Sequence, residues 1–215
     1  MTLLRSTLLY PGNLSGIEGN RNHSSSAVCS LASLTLAMGA QDPYTQRHAR
    51  RVAEYGESLA RRLGLGAEDL EIIRIGGLLH DIGKIAFSLK LRRNHDKDLT
   101  PAMRAEIRLH PQIGVKFLES IHVAEPVIDC VRYHHERLDG SGYPCGLKAA
   151  EIPLAARIIG VADCFDALTT DRPYQKGRSP AQALILMQHW AGRMFSPELV
   201  RLLAEDVRAN GVRTH

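Results

Sequence analysis

Seven side chains able to bind a transition metal stand out in this chain: the adjacent pairs His80-Asp81 and His134-His135, the single residues His48 and His110, and Asp163. Imidazole nitrogen and carboxylate oxygen together suit divalent transition ions, and one ion takes about four to six ligands. The donors exceed what one ion needs, so the set reads as a two-metal hydrolytic centre. Two neighbouring ions lower the pKa of a shared water and polarise the bond it attacks. His23, His95, His122, His189 and His215 lie in polar or terminal contexts without such company and are assigned no chemistry.

The surroundings of the donors matter as much as their number. Asp163 follows the apolar run Ile158 to Ala162, where an isolated ionised carboxylate is strongly unfavourable and coordination removes the cost. A lone histidine on an apolar helix is more often a core or surface residue than a ligand. Here His80, His110 and His134 each close an apolar helical stretch, and His48 lies four residues before Val52 on a core-facing stripe. Adjacent helical residues point about 100° apart. His80 and Asp81 can therefore serve neighbouring ions, or Asp81 can bridge them while His80 binds one; the same geometry applies to His134 and His135.

Lys84, one turn beyond His80 on the same helical face, is either a solvated lysine or a cation set against a substrate phosphate. The run Asp139-Gly140-Ser141-Gly142-Tyr143-Pro144 suits a simple turn. It also places flexible backbone and an aromatic ring just past two candidate ligands, where a nucleotide can pack. Lys176 and Arg178 fit a solvated loop.

The elements that position these residues are helical by period and punctuation. Residues 1–26 are rich in Gly, Asn and Ser and read as an N-terminal arm; residues 27–215 read as the domain proper. Helical spacing runs from Ala27 to Met38. Asp42 and Pro43 then cap a helix carrying Val52, Tyr55, Leu59 and Leu63 that stops at Gly64 and Gly66. Glu68 to His80 is the next helix, and Gly76 and Gly77 inside it cost about 1 kcal/mol each relative to Ala unless another element must come close. Thr100 caps a segment running from Pro101 through His110-Pro111. Ala124 to Tyr133, a central apolar helix from Pro153 to Thr170, Pro180 to His189 and Pro197 to Ala204 complete the set.

Composition sets the outer bounds. With 215 residues, 44% hydrophobic and only 5% aromatic, the chain can bury one sizeable core built from aliphatic ridges, which favours helices over sheet. No apolar run reaches the roughly 20 residues of a membrane span. The formal charge of +4 favours an anionic ligand only modestly, and an ordinary basic surface explains it as well. Cys29, Cys130, Cys145 and Cys164 show no paired spacing and read as reduced thiols in a cytoplasm. The first ten residues lack the apolar core of a signal peptide.

These motifs together resemble the HD-GYP subgroup of HD-domain phosphohydrolases, bacterial enzymes that hydrolyse cyclic di-GMP. The carriers are Asp42-Pro43-Tyr44-Thr45 leading to His48, His80-Asp81-Ile82-Gly83-Lys84, His110-Pro111, and His134-His135-Glu136 running into the Gly142-Tyr143-Pro144 loop. Arg157-Ile158 to Asp163, Asp166-Ala167-Leu168-Thr169 and Arg172-Pro173-Tyr174 complete a match from about Leu31 to Leu203.

The resemblance implies an all-α, HD-domain-like helical bundle with a metal centre in its core. It implies His48, His80, Asp81, His110, His134, His135 and Asp163 as metal ligands, Asp81 and Lys84 as catalytic, and Lys84 as the phosphate contact. Gly142, Tyr143, Pro144, Arg172, Lys176 and Arg178 are the further candidate substrate contacts. Some members bind a third ion through a glutamate one turn before the first histidine; Tyr44 stands there, so two ions are expected, Fe or Mn first, with Zn, Ni or Co acceptable to the same donors. The segment Ala86 to Asp98 departs from the family pattern, which bears on substrate fit rather than on the metals.

The expected reaction is hydrolysis of cyclic di-GMP to pGpG, with GMP as a further product. The alternatives are another cyclic dinucleotide or phosphate ester at the same centre, or a weakly active module that binds nucleotide or signalling proteins. A homodimer is compatible with this reading; DNA and a membrane span are not part of it.

Overall fold

The computed structural model describes residues 43–92, 99–171 and 176–213, and every regular element among them is helical. The helices are α1 (Pro43–Arg62), α2 (Ala67–Leu79), α3 (Leu89–Arg92), α4 (Pro101–Arg108), α5 (His110–Ser120), α6 (Glu125–Tyr133), α7 (Leu154–Thr169), α8 (Pro180–Trp190) and α9 (Pro197–Asn210). Short 3-10 turns at Ile82–Ala86 and Ala149–Glu151 join some of them. The expected N-terminal arm, the helix from Ala27, the Asp42 cap and Arg172 lie outside the described residues.

The starts follow from local chemistry. Thr100 accepts a hydrogen bond from the Met103 amide at 3.2 Å, and Pro101 follows at the first helical position. Ser179 and Gln182 form a reciprocal capping box ahead of Pro180. Ser196 caps α9 through the Leu199 amide ahead of Pro197. In each case a hydroxyl satisfies an amide that the helix cannot, and proline occupies a position whose N–H is not needed.

Two apolar clusters form the interior. In the larger, α7 is central, and its Ile158, Ile159 and Phe165 meet Val52, Tyr55 and Leu59 of α1 and Leu199 and Leu203 of α9. Tyr55 and Phe165 pack edge to face with ring centroids 5.3 Å apart. The smaller cluster joins Leu79 and Ile82 to Leu118, Val127, Ile128 and Val131. His48 and Asp163 branch from helices of the first cluster, and His80, Asp81, His110 and His134 from elements of the second.

The glycine pair in α2 lets two neighbouring helices approach closely. A Cβ on Gly76 would lie 2.6 Å from the Cys130 Cβ of α6, and one on Gly77 would lie 2.6 Å from the Ala53 Cα of α1. Both are inside any tolerable contact distance. The propensity cost of two glycines is therefore offset by the approach of α1 and α6, which brings His48 and His134 toward His80.

Three boundaries differ from the sequence reading. The helix α2 ends at Leu79, so His80 is its cap and Asp81 lies in the following 3-10 turn. The segment from Pro101 divides at Leu109 into α4 and α5, because Pro111 lacks an N–H and its ring clashes with the carbonyl four residues earlier. The last helix continues beyond Ala204 to Asn210, with Val207 extending its buried stripe and Gly211 terminating it at φ +73°. Among the described residues no helix is long and apolar enough to cross a membrane.

Candidate metal centre

The folded chain gathers all seven predicted donors at one place. His48 comes from the first third of α1, His80 caps α2, and Asp81 opens the turn after it. His110 opens α5, His134 caps α6 with His135 next, and Asp163 lies on α7. Asp81, His110, His134 and His135 bring one donor atom each within 4.8 Å of one another, and His48, His80 and Asp163 form a second such group.

Asp81 stands between the two groups. Its Oδ1 lies 3.3 Å from His110 Nε2, while its Oδ2 lies 3.3 Å from His80 Nε2 and 3.7 Å from His48 Nε2. Asp163 Oδ1 completes the second group at 3.2 Å from His48 Nε2 and 3.9 Å from His80 Nε2.

The backbone fixes the ring tautomers. Nδ1 of His80, His110 and His134 sits 2.8, 2.7 and 2.9 Å from the carbonyls of Gly77, Ile107 and Val131, each three residues earlier. A carbonyl only accepts, so each Nδ1 donates and each Nε2 turns a lone pair into the site. His110 and His134 consequently face one another Nε2 to Nε2 at 3.3 Å with no proton between them. The buried His80 Nε2 has no hydrogen-bond partner. With the lone pairs of His80, His110 and His134 turned toward one another and two carboxylates beside them, the donor set fits divalent metal.

Electrostatics agree. Burial, reinforced by the neighbouring histidines, holds His134 well below the usual imidazole range, and burial brings His135 down to about 3. Burial likewise lowers His110, against the pull of Asp81. All three are therefore neutral at neutral pH, as metal donors must be. Burial disfavours the charged form of Asp81, but Lys84, His80 and His110 outweigh it and keep the carboxyl well below its ordinary range. Asp163 is held low in the same way, by His48 and His80 against burial. His48 differs. Burial opposes its charge, yet Asp163 and Asp166 raise it to about 9, so a divalent ion at Nε2 would take the place of a proton.

Around the donors lie residues that hold them. The Lys84 ammonium donates to Asp81 Oδ2. Because Lys84 sits in the 3-10 turn rather than on an extended α2, it reaches Asp81 three residues back instead of sharing a face with His80. The Tyr143 ring stacks on His135 with centroids 4.6 Å apart and an interplanar angle of 27°. A Cβ on Gly142 would come 2.4 Å from the Glu136 Cα, so only glycine lets the loop lie against the backbone of residues 135–137. Pro144 is half-buried beside them, and the Tyr44 ring lies parallel to His48 at 6.5 Å. Lys176 and Arg178 are exposed ahead of α8; among the described residues neither makes a hydrogen bond or ion pair to the seven donors.

Three residues without a predicted role prove central to this arrangement. Asp166 accepts from His48 Nδ1 at 2.7 Å and is gripped by Arg51. Glu136, buried, takes the amides of Cys145, Gly146 and Leu147 at 2.7, 3.1 and 3.0 Å. The signal for the first pair was in the spacing, since Arg51 lies three residues after His48 and Asp166 three after Asp163, each on the ligand's own face.

The sequence profile of the HD domain family matches residues 36–199. The chain belongs to the HD-domain family. Among HD-domain relatives, it is 40% identical over 167 residues to a cyclic di-GMP phosphodiesterase of Pseudomonas aeruginosa, covering 77% of this chain and 40% of that protein. It is 34% identical over 170 residues to a 3'3'-cGAMP-specific phosphodiesterase of Vibrio cholerae, covering 79% of this chain and 37% of that one. The chain thus spans well under half the length of these two relatives. Its fold is similar to that of an HDGYP protein from Bdellovibrio bacteriovorus, with a TM-score of 0.63 at 23% identity, over 75% of this chain and 51% of the other. The all-α HD-domain architecture expected from the motifs is the one observed.

Proposed function

We propose that the chain hydrolyses the phosphodiester bond of cyclic di-GMP, giving pGpG with GMP as a further product, by means of two divalent transition ions. The observation that carries this reading is the placement of Asp81 between two groups of converging donors. His48, His80 and Asp163 would hold one ion and His110, His134 and His135 the other, with Asp81 shared. Bound there, such ions supply Lewis acidity and a water of lowered pKa, the two things that phosphodiester cleavage needs at neutral pH. Fe or Mn are the ions favoured, and Zn, Ni and Co suit the same donors.

The chain's own residues supply orientation and charge. Lys84 is anchored on Asp81 and about one-third exposed, so its ammonium can also meet a non-bridging phosphoryl oxygen as negative charge grows. Asp166 keeps His48 in the orientation that points Nε2 inward. Tyr143, packed on His135, offers the edge of its ring and its hydroxyl to a base or ribose at the mouth of the site. Gly142 and Pro144 shape that mouth, and Arg172, Lys176 and Arg178 add positive charge for the second phosphate.

The cyclic di-GMP enzyme of Pseudomonas aeruginosa supports the choice of substrate, and the Vibrio cholerae relative supplies the competitor, 3'3'-cGAMP. The test is anaerobic purification with elemental analysis, then turnover of both dinucleotides side by side. Faster cleavage of cyclic di-GMP with about two ions per chain supports the reading. Preference for cGAMP moves the substrate while keeping the chemistry. No cleavage of either by fully loaded protein favours a nucleotide- or protein-binding module instead.

A further inference from the structure

Among the described residues three arginines approach the donor cluster, and two have their guanidinium groups committed. Arg51 gives its Nε and Nη2 to Asp166 and Thr170. Arg137 donates to the carbonyls of His134 and Glu136 and lies over the Phe195 ring. Arg108 is different. It ends α4 two residues before His110, its side chain is exposed, and its guanidinium carbon lies 4.5 Å from the centre of the Tyr143 ring.

Among the described residues the Arg108 side chain makes no hydrogen bond or ion pair. The ring beneath it is the one stacked on His135, so guanidinium, phenol and imidazole form a column leading from solvent to a candidate ligand. Contact with the aromatic face restricts the guanidinium while leaving its N–H groups available at the edges, a preorganised fork for an anion.

A cyclic dinucleotide has two phosphodiester groups. The one to be cleaved belongs at the ions and Lys84, and the other must lie away from them, where it needs a cation of its own. We infer that Arg108, held on Tyr143, binds the phosphate that is not being cleaved, and so favours diesters with a second phosphate over those with one. This rests on the proposed phosphodiesterase reading. It adds Arg108 to the positive charge that Arg172, Lys176 and Arg178 bring to that phosphate.

The test compares Arg108→Ala, Arg108→Lys and Lys176→Ala with the unaltered protein, all loaded with metal and checked for metal content. Substrates are cyclic di-GMP, cyclic di-AMP and bis(p-nitrophenyl) phosphate, which has one phosphate only. Binding of labelled cyclic di-GMP is measured alongside. Losing a hydrogen-bonded ionic contact is worth about 10- to 100-fold in affinity. Arg108→Ala is expected to raise KM for both cyclic dinucleotides by about that factor with kcat within a few-fold. The loss for the single-phosphate diester stays several-fold smaller, and Lys falls between Arg and Ala.

Equal loss on all three substrates, or loss of metal, overturns the assignment in favour of a structural role. Loss confined to the guanine dinucleotide overturns it in favour of base recognition. A larger KM effect from Lys176→Ala than from Arg108→Ala returns the phosphate to the Lys176 loop. If the unaltered protein binds cyclic di-GMP in an Arg108-dependent way without cleaving it, the catalytic reading fails and this one stands; if it does not bind, both fall.

Discussion

Arg51 grips Asp166 from the side with Nε on Oδ1 at 2.6 Å and Nη2 on Oδ2 at 2.9 Å, and the same carboxylate receives His48 Nδ1. The three residues are buried. A salt bridge of this kind orients a ligand rather than binding metal itself, and such outer partners typically contribute 10- to 100-fold in metal affinity.

Asp166→Asn is therefore expected to weaken ion retention by roughly that factor while the helices remain formed. Equilibrium dialysis against a metal buffer, with circular dichroism on the same sample, reads both quantities. Unchanged retention would show that His48 needs no such support.

The facing Nε2 atoms of His110 and His134 predict that metal stabilises the fold. A ligand at about 100 times its Kd contributes roughly 2.7 kcal/mol, equivalent to about 5–10 °C in Tm for a chain of this size. Thermal melts before and after chelation should differ by that amount and be restored on adding the ion back. Identical melts would mean that the cluster does not bind tightly.

Glu136 predicts a stability effect separable from metal binding. It is buried and accepts three backbone amides, so Glu136→Ala leaves three donors unsatisfied at a cost of about 3 kcal/mol. Glu136→Gln keeps an acceptor and should lose less. Denaturant midpoints rank the two variants, and an alanine variant as stable as the glutamine one would contradict the prediction.

Asp206 gives the acid limit. It takes hydrogen bonds from Ser58, Asn210 and Arg213 at 2.6, 2.8 and 2.9 Å. Burial works against its charge, but Ser58, Asn210 and the arginines win and hold its carboxyl below the usual 3.8. A carboxyl depressed on folding stabilises fully above its unfolded pKa and loses that contribution as pH falls through the folded value. Stability should therefore drop as pH falls below about 4, and Asp206→Asn should flatten that part of the curve while lowering stability at pH 7 by about 1 kcal/mol. Urea titrations from pH 3 to pH 7 measure both.

Much of this was legible in the residues because caps and ligands are local signals. Thr100, Ser179 and Ser196 mark helix starts through their own hydroxyls, and His48 shows its inward face through the spacing of Val52, Tyr55 and Leu59. The ends were harder. Whether α2 stops at Leu79 or continues through Lys84 depends on how His80 and Asp81 must turn toward partners from other helices, which no local period records. Glu136 escaped notice for a related reason, since the amides it captures become neighbours only once the loop has folded back.

The donors come from five stretches that are remote along the chain, with 115 positions separating His48 from Asp163. An ion held among them works as a rivet through the bundle. Each stretch must already have closed its loop before the last donor can arrive, and such closures are the slow part of assembling distant contacts. In refolding, the appearance of helix should run ahead of metal capture, so that uptake of the ion times the completion of the tertiary topology.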